Sequence, residues 1–293
     1  MSVKTLLKWA VKAITPYGLL YVYRKLFSYR EPANLRAREV KPLPKQAKEP
    51  PRYIVTLTSY GRRVADKAPR AIRSLFKQTA QPDRIVLWLA HGTKIPKALN
   101  ALQDAGLEIR FCEDIKSYKK LIPALSAFPN DALITADDDI FYPPDWFKTL
   151  KEAFLRDPSK IHCHRAHEIY LDKNNKVLPY SQWRSSVKTV ICSKRLFPTG
   201  VGGILYPPHA FNGEIFRKDM FQTLAPTADD IWFWAMALHN GKEFALVEDG
   251  MDGIIDVGIN DDGLWRVNLG NNKNDEQMQQ VLIAYPDVYE RIL

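Results

Sequence analysis

Residues Ala132-Leu133-Ile134-Thr135-Ala136 form an apolar run that passes straight into three carboxylates, Asp137-Asp138-Asp139. Ile140-Phe141-Tyr142 follows and meets Pro143-Pro144. The run reads as a short buried strand, which the prolines keep from continuing. Carboxylates crowded this closely repel, and a buried carboxylate is costly unless it is paired or binds a metal. A hard divalent cation relieves both penalties, and Mg²⁺ or Mn²⁺ typically joins one or two carboxylates to phosphate oxygens. The pattern points to an α/β chain with a metal–diphosphate site at the C-terminal end of a strand, where open α/β sheets hold their ligands. A solvated acidic turn is the competing reading. It is disfavoured because the trio follows an apolar strand directly instead of sitting in a polar loop.

Strand and helix signals alternate around that run. Tyr53 to Thr58 is β-rich and ends at Ser59-Tyr60-Gly61, and Lys67 to Gln78 has helical spacing with Ala68, Ile72, Leu75 and Phe76 on one face. Arg84 to Leu89 predicts a second strand, Pro96 to Ala105 a helix, Leu107 to Cys112 a third strand, and Tyr118 to Phe128 a helix with Pro123 near its start. Ala132 to Ala136 is then the fourth strand. Such alternation predicts βαβ units and a mainly parallel sheet flanked by helices.

The second half is less regular. Ile161 to His164 reads as a strand, and residues 165–200 as a polar, aromatic segment covering the substrate. Gly202-Gly203 opens a strand that runs to Pro208. Asp229-Asp230 begins a helix that reaches His239 and is closed by Asn240-Gly241. Acidic residues at a helix start favour the macrodipole, so capping is one reading of this pair. Phe244 to Val247 reads as a last strand, and residues 250–293 as a tail with a short terminal helix. His162-Cys163-His164 with His167 does not have structural zinc spacing, and adjacent strand residues point to opposite faces. Arg165, His167 and Glu168 are expected instead at the border of a cleft, and Trp183 either stacks on a sugar ring or anchors a loop.

Charge is distributed unevenly. The net charge is +9, but residues 1–50 hold 11 Lys and Arg against 3 Asp and Glu, and the rest of the chain holds 31 against 30. A nearly neutral body argues against nucleic acid as a partner, because a nucleic-acid-binding body shows a basic face. Three cysteines suit a reducing compartment. At 100° per residue, Lys4, Lys8 and Lys12 form one stripe of a helix, with Val3, Leu6, Leu7, Ala10, Ala13 and Ile14 opposite. The uncharged run from Ala13 to Tyr23 is too short to span a bilayer, which takes roughly 20 apolar residues. The expectation is a basic arm, residues 1–30, lying on an anionic membrane surface, followed by a Pro-rich linker over 31–51. The competing reading packs that helix on the protein's own body.

This order of features resembles the GT-A class of nucleotide-sugar glycosyltransferases, especially bacterial enzymes of lipopolysaccharide and capsule assembly. The resemblance covers roughly Arg52 to Val247. Asp137-Asp138-Asp139 matches the D-x-D motif. Gly202-Gly203 matches a glycine-containing segment lining donor sugar and acceptor. Ala228-Asp229-Asp230-Ile231-Trp232 looks like the x-E-D motif of inverting members, with Asp229 in place of the usual Glu.

The resemblance implies a GT-A (Rossmann-like) catalytic domain over 52–249. Its nucleotide-binding half would be 52–140 and its acceptor half 141–249, with the tail 250–293 closing the site. It implies inverting, metal-dependent transfer of a sugar from a nucleotide donor, a UDP-sugar being favoured, to a glycan or lipid-linked oligosaccharide. Asp139 would ligate Mn²⁺ or Mg²⁺, Asp137 would face the ribose or reach the metal, and Asp138 would touch the donor sugar. Asp230 would be the general base, with Asp229 orienting the acceptor. Thr58, Ser59 and Tyr60 would lie at the nucleobase, and Asp114 with Lys119 or Lys120 at the base, ribose or diphosphate. His167 and Trp183 would lie toward the sugars. The protein would work in the cytoplasm, peripheral on the inner membrane.

Family members often supply a C-terminal His to the metal or diphosphate. This chain has none after His239, and Asn268, Asn271 and Asn272 are the candidates for its place. Two other functions remain open at this stage. One is a metal-dependent nucleotidyl- or phosphotransferase using the same trio, and the other is a non-catalytic, membrane-associated glycan-binding or assembly protein.

Overall fold

The computed structural model describes residues 31–43, 49–188, 192–247, 255–257 and 272–293. The basic arm, Asn268 and Asn271 lie outside the described residues. In chain order the elements are α1 (Ala33–Arg36), β1 (Tyr53–Thr58), α2 (Arg63–Asp66), α3 (Ala68–Phe76), β2 (Arg84–Ala90), α4 (Lys97–Asp104) and β3 (Leu107–Cys112). A 3-10 turn over Lys116–Lys120 leads to α5 (Ile122–Ala127), β4 (Ala132–Thr135), β5 (Ile140–Phe141) and α6 (Trp146–Arg156). The second half holds β6 (Ile161–Cys163), β7 (Ala166–Glu168), β8 (Cys192–Ser193), β9 (Leu196–Pro198), β10 (Ile204–Tyr206), α7 (Lys218–Leu224), α8 (Asp229–His239), β11 (Phe244–Leu246), β12 (Ile255–Asp256), α9 (Lys273–Ala284) and α10 (Pro286–Ile292).

Eight strands form the central sheet in the order β3-β2-β1-β4-β10-β6-β11-β8. β3, β2, β1 and β4 run parallel, as do β6 and β11. β10 enters between β4 and β6 antiparallel to both, with Ile204 opposite Thr135. This is the α/β fold with a mainly parallel, helix-flanked sheet that the alternating pattern predicts.

Strand alternation separates two cores. Ile54, Val86 and Leu133 belong to the core that includes Tyr118, Leu121, Ala124 and α8, while Val55, Leu57, Ile85, Leu87 and Ile134 belong to the core that includes α3, α4 and α6. Both faces are thus covered, as parallel sheets require. α8 is apolar nearly all round, with Ile231, Trp232, Phe233, Trp234 and Met236 buried, so it is an interior helix. Fully burying a large apolar side chain contributes roughly 1.5–3 kcal/mol, so this helix start sits on one of the best-anchored elements of the fold. Among the described residues, no helix is long and apolar enough to cross a membrane.

Several expectations need amending. Residues 31–43, read as part of a linker, lie against the body. Leu35 is buried with Ala71, Phe141 and Val257, Leu43 joins the core under β3, and Glu31 pairs with Lys77 at 2.8 Å. The helix expected over Tyr118 to Phe128 is split, because Leu121 adopts φ −128° between the 3-10 turn and α5. The segment 165–200 contains an antiparallel pairing of β7 with β9. The tail carries two helices in succession, and Asn272 stands before the first with φ +52°.

Candidate active site

The end of β4 and the start of β10 are adjacent because Thr135 and Ile204 are register partners. The loop Gly200–Gly203 therefore lies beside Asp137-Asp138-Asp139. α8 reaches the same place with its first turn, where the Gly200 N–H donates to Asp230 Oδ2 at 3.1 Å. The N-cap of α8 is Ala228, which has no side-chain acceptor, and Asp229 and Asp230 stand in the first turn, where negative charge favours the macrodipole, while Asp230 also accepts from the Gly200 loop.

Lys120 joins the two acidic groups. Its ammonium donates to Asp137 Oδ1 at 3.0 Å and stands 3.1 Å from Asp229 Oδ2. That Asp229 oxygen, buried and without a hydrogen-bond partner, relies on the ion pair. Two contacts place the lysine. The Thr56 hydroxyl, on β1, donates to the Lys120 carbonyl at 2.7 Å, and the Tyr118 hydroxyl donates to the Ala225 carbonyl at 2.6 Å. Tyr118 also stacks on Phe221 at 4.2 Å, which ties the 3-10 turn to the approach of α8. Burial works against the charge on Lys120, but Asp137, Asp229 and Asp230 outweigh it and hold its pKa well above the ordinary value.

Asp230 retains some solvent contact but is set in dense protein. Burial first, and then the Asp229 charge, push its carboxyl up to about 7 against the opposing pull of Lys120 and the Gly200 N–H. It is thus a carboxyl poised to exchange a proton near neutrality.

The other two members of the trio turn to a residue for which the sequence carries no local signal. Arg63, in the first turn of α2, binds Asp138 through Nε at 3.2 Å and through a second, shorter contact, and reaches Asp139 Oδ2 at 2.7 Å. The Ser59 hydroxyl donates to Asp138 Oδ2 at 2.5 Å. Asp139 is nonetheless pushed up to about 7, by burial first and then by Asp138, with Arg63 opposing and Asp137 adding. The trio therefore holds more negative charge than Arg63 offsets.

That surplus bears on a metal. Among the described residues, no group of three or more His, Cys, Asp or Glu converges as a cage. Mg²⁺ and Mn²⁺ need less, being held by one or two carboxylates with substrate phosphates and water. An all-oxygen donor set with uncompensated charge fits that smaller requirement. Asp137, its side chain 26% exposed, and Asp139 would hold the ion.

The remaining expected residues are distributed as follows. Thr58 donates to the Trp88 carbonyl and Ser59 to Asp138, so both hydroxyls are engaged within the protein. Tyr60 is 47% exposed and lies over Arg63, 5.3 Å from ring centroid to guanidinium carbon. A cleft of about 460 Å³ lies beyond it, between Gly61, Val64 and Ala65 on one side and Thr93 to Pro96 on the other. Lys119 pairs with Asp114 and does not join the Lys120 cluster.

Gly202 and Gly203 are glycine for packing. A Cβ on Gly202 would meet Arg165 at 2.6 Å, and one on Gly203, at φ +89°, would meet the Trp146 ring at 2.4 Å. Gly200 is the loop glycine at the charged groups, its Cβ position lying 2.9 Å from Lys120 Nζ and 3.1 Å from Asp230 Oδ1. Trp183, expected at a sugar, is only 5% exposed and packs on Tyr180 and Phe197, so its ring is core. His167 is buried, accepts the Ser186 N–H on Nδ1 at 2.9 Å, and burial lowers its pKa to about 4. His162 and His164 bond the Asp157 and Trp146 carbonyls and form no zinc site together.

The sequence matches no family model and no curated protein. Among solved structures it is similar to a CMP:2-keto-3-deoxy-manno-octonic acid synthetase complexed with CTP, at 11% identity over 67% of this chain and 88% of that one, with a TM-score of 0.39. At that similarity no activity passes from one to the other.

Proposed function

We propose that this chain is a glycosyltransferase that moves a sugar from a nucleotide-sugar donor to a hydroxyl of a glycan acceptor, with inversion. The observation that carries this reading is the pairing of two acidic centres through Lys120. Asp137 lies on the nucleotide side, at the C-terminal end of β4. Asp229 and Asp230 lie across from it at the start of α8. A direct displacement at an anomeric carbon needs a leaving diphosphate on one side and a base for the incoming hydroxyl on the other, and the site offers residues for both.

Asp230 takes the acceptor proton onto a carboxylate oxygen, a role that suits a carboxyl raised to about 7. The Gly200 N–H holds that carboxylate in place, and the neighbouring Asp229 charge raises its proton affinity. Lys120 contributes a fixed positive charge beside the departing phosphates, and Tyr60 offers an exposed ring near the nucleobase end. A divalent ion held by Asp137 and Asp139 would supply neutralisation of the charge that develops on the diphosphate.

Asp230→Asn should bind nucleotide as wild type does and lose roughly 10²–10⁴ in turnover. Unchanged turnover would remove Asp230 as the base. Attachment of the basic arm to an anionic membrane surface, where lipid-linked acceptors reside, completes the proposal.

A metal-dependent nucleotidyl transfer is the second reading. It is favoured by the two buried cations at the end of β4, Lys120 and Arg63, where a triphosphate needs positive charge. In it Asp230 would take the proton of a hydroxyl attacking phosphorus instead of an anomeric carbon. Release of pyrophosphate instead of a nucleoside diphosphate would select it.

A further inference from the structure

Arg165 follows β6 and lies alongside the loop that carries Gly200. Its guanidinium donates to the Thr199 hydroxyl at 2.6 Å, and the Thr199 N–H donates back to the Arg165 carbonyl at 3.0 Å. Thr199 itself is buried and immediately precedes Gly200, whose N–H holds Asp230. Among the described residues, Arg165 has no carboxylate in ion-pair contact, although burial lowers its pKa and Asp230 and Tyr180 lie within its electrostatic reach. Every other cation named at this site is ion-paired: Arg63 with Asp138 and Asp139, Lys120 with Asp137 and Asp229, Lys119 with Asp114.

Arg165 is half-buried, and drawing a cation even partly out of water is costly unless an anion meets it. A guanidinium carries five donors in a planar fork suited to a carboxylate or a phosphate, and a single neutral hydroxyl leaves most of them unused. Tyr180 completes the wall. Its ring packs edge-on to His167 at 5.2 Å and tilts against Trp183 at 4.9 Å, and its phenol, pushed up to about 12 mainly by burial, stays a neutral donor. His167, lowered to about 4, stays neutral too and adds no competing charge.

We propose that Arg165, with Thr199 and Tyr180 beside it, is a subsite for one anionic group, a carboxylate or a phosphate, on the acceptor sugar. The assignment rests on the glycosyl-transfer reading, since it is Asp230 that makes this the acceptor side. The anion orients the acceptor so that a neighbouring hydroxyl reaches the Asp230 carboxylate, and a neutral sugar forgoes that contact. No bond is made or broken at Arg165, so it is a binding residue.

The test is titration calorimetry on the full chain with glucuronate, glucose 6-phosphate and glucose. One of the two anionic sugars should bind at least about tenfold more tightly than glucose, as expected for one or two charge-assisted hydrogen bonds. That advantage should vanish in Arg165→Gln and be partly kept in Arg165→Lys, which preserves charge without the fork. The anion that binds names the source, carboxylate or phosphate. Equal affinity for all three sugars, no binding by either anion, or an anion preference that persists in Arg165→Gln would overturn the subsite. Persistence with glucose 6-phosphate alone would place that phosphate at Lys120 instead. Circular dichroism of each variant separates misfolding from loss of binding. If the anion binds through Arg165 while no sugar nucleotide is ever consumed, the subsite stands and the transferase reading fails. If sugar nucleotide is consumed without any anion preference, the reverse holds.

Discussion

The guanidinium of Arg63 stands 2.7 Å from Asp139 Oδ2 and holds Asp138 with the same group, although 75 residues separate it from the nearer aspartate in the chain. Removing one partner of a buried pair leaves an uncompensated charge and costs about 3–5 kcal/mol. Arg63→Gln should therefore lose stability of that order in urea denaturation at pH 7.5. The loss should shrink at pH 4.5, where the Asp139 carboxyl, raised to about 7 by burial first and then by Asp138, is protonated. A loss below about 1 kcal/mol at pH 7.5 would mean that the pair is not structural.

The activity should rise with pH through the titration of Asp230. A base works in its deprotonated form, and this carboxyl titrates at about 7 instead of in the ordinary carboxylate range. The kcat/KM profile should climb about tenfold per pH unit below 7 and level off above it. A profile already flat at pH 5 would contradict the raised carboxyl.

The same group makes a stability prediction with the opposite slope. A free aspartate titrates at roughly 3.9, whereas Asp230 in the fold titrates at about 7. Between those values the native state binds more protons than the unfolded chain, so this group's contribution falls as pH rises. His164 and His167, both lowered to about 4, act in the other direction and lose stability as pH falls from about 6.5. Comparing wild type with Asp230→Asn cancels the histidines. The variant should gain on wild type by a few kcal/mol between pH 4 and 7, as read from denaturation midpoints across that window.

Two glycines three residues apart should fail in different ways. A Cβ at position 200 meets the flexible end of Lys120 at 2.9 Å and the Asp230 carboxylate at 3.1 Å, so Gly200→Ala should fold and lose turnover. A Cβ at position 203 meets the Trp146 ring at 2.4 Å from a backbone at φ +89°, so Gly203→Ala should lose several kcal/mol of stability. Thermal unfolding and turnover of the two variants together distinguish the roles. The reverse assignment would misplace the loop.

The parallel half of the sheet and the start of α8 were legible because their signals are local. β1, β2, β3 and β4 are apolar runs with turn residues at their ends, and Asp229-Asp230 opens an apolar run that Asn240-Gly241 closes. α6, not among the helices expected from the sequence, has a signal of the same kind in Trp146, Phe147, Leu150, Ala153 and Phe154, at helical spacing directly after Pro143-Pro144. The insertion of β10 between β4 and β6 was not legible, because strand order is decided by packing over the whole sheet. The same holds for Arg63, which becomes a partner of the trio only once α2 is folded over the end of β1. It holds again for Gly200, since the sequence shows three glycines in a row of four and not which of them approaches the charges. Asp137 and Asp230 stand out by their contexts, and the structure brings both to Lys120, while Trp183, expected at a ligand or as a loop anchor, packs in the core.

The central claim is that the two acidic centres joined by Lys120 transfer a glycosyl group. The most direct measurement is product analysis after incubating the full chain with Mn²⁺, a panel of sugar nucleotides and a glycan acceptor extract, in parallel with nucleoside triphosphate and free sugar. The account predicts that one sugar nucleotide is converted to its nucleoside diphosphate, with the sugar joined to the acceptor, and that Asp230→Asn slows this roughly 10²–10⁴-fold. Pyrophosphate released from a nucleoside triphosphate, with no sugar nucleotide consumed, would contradict it.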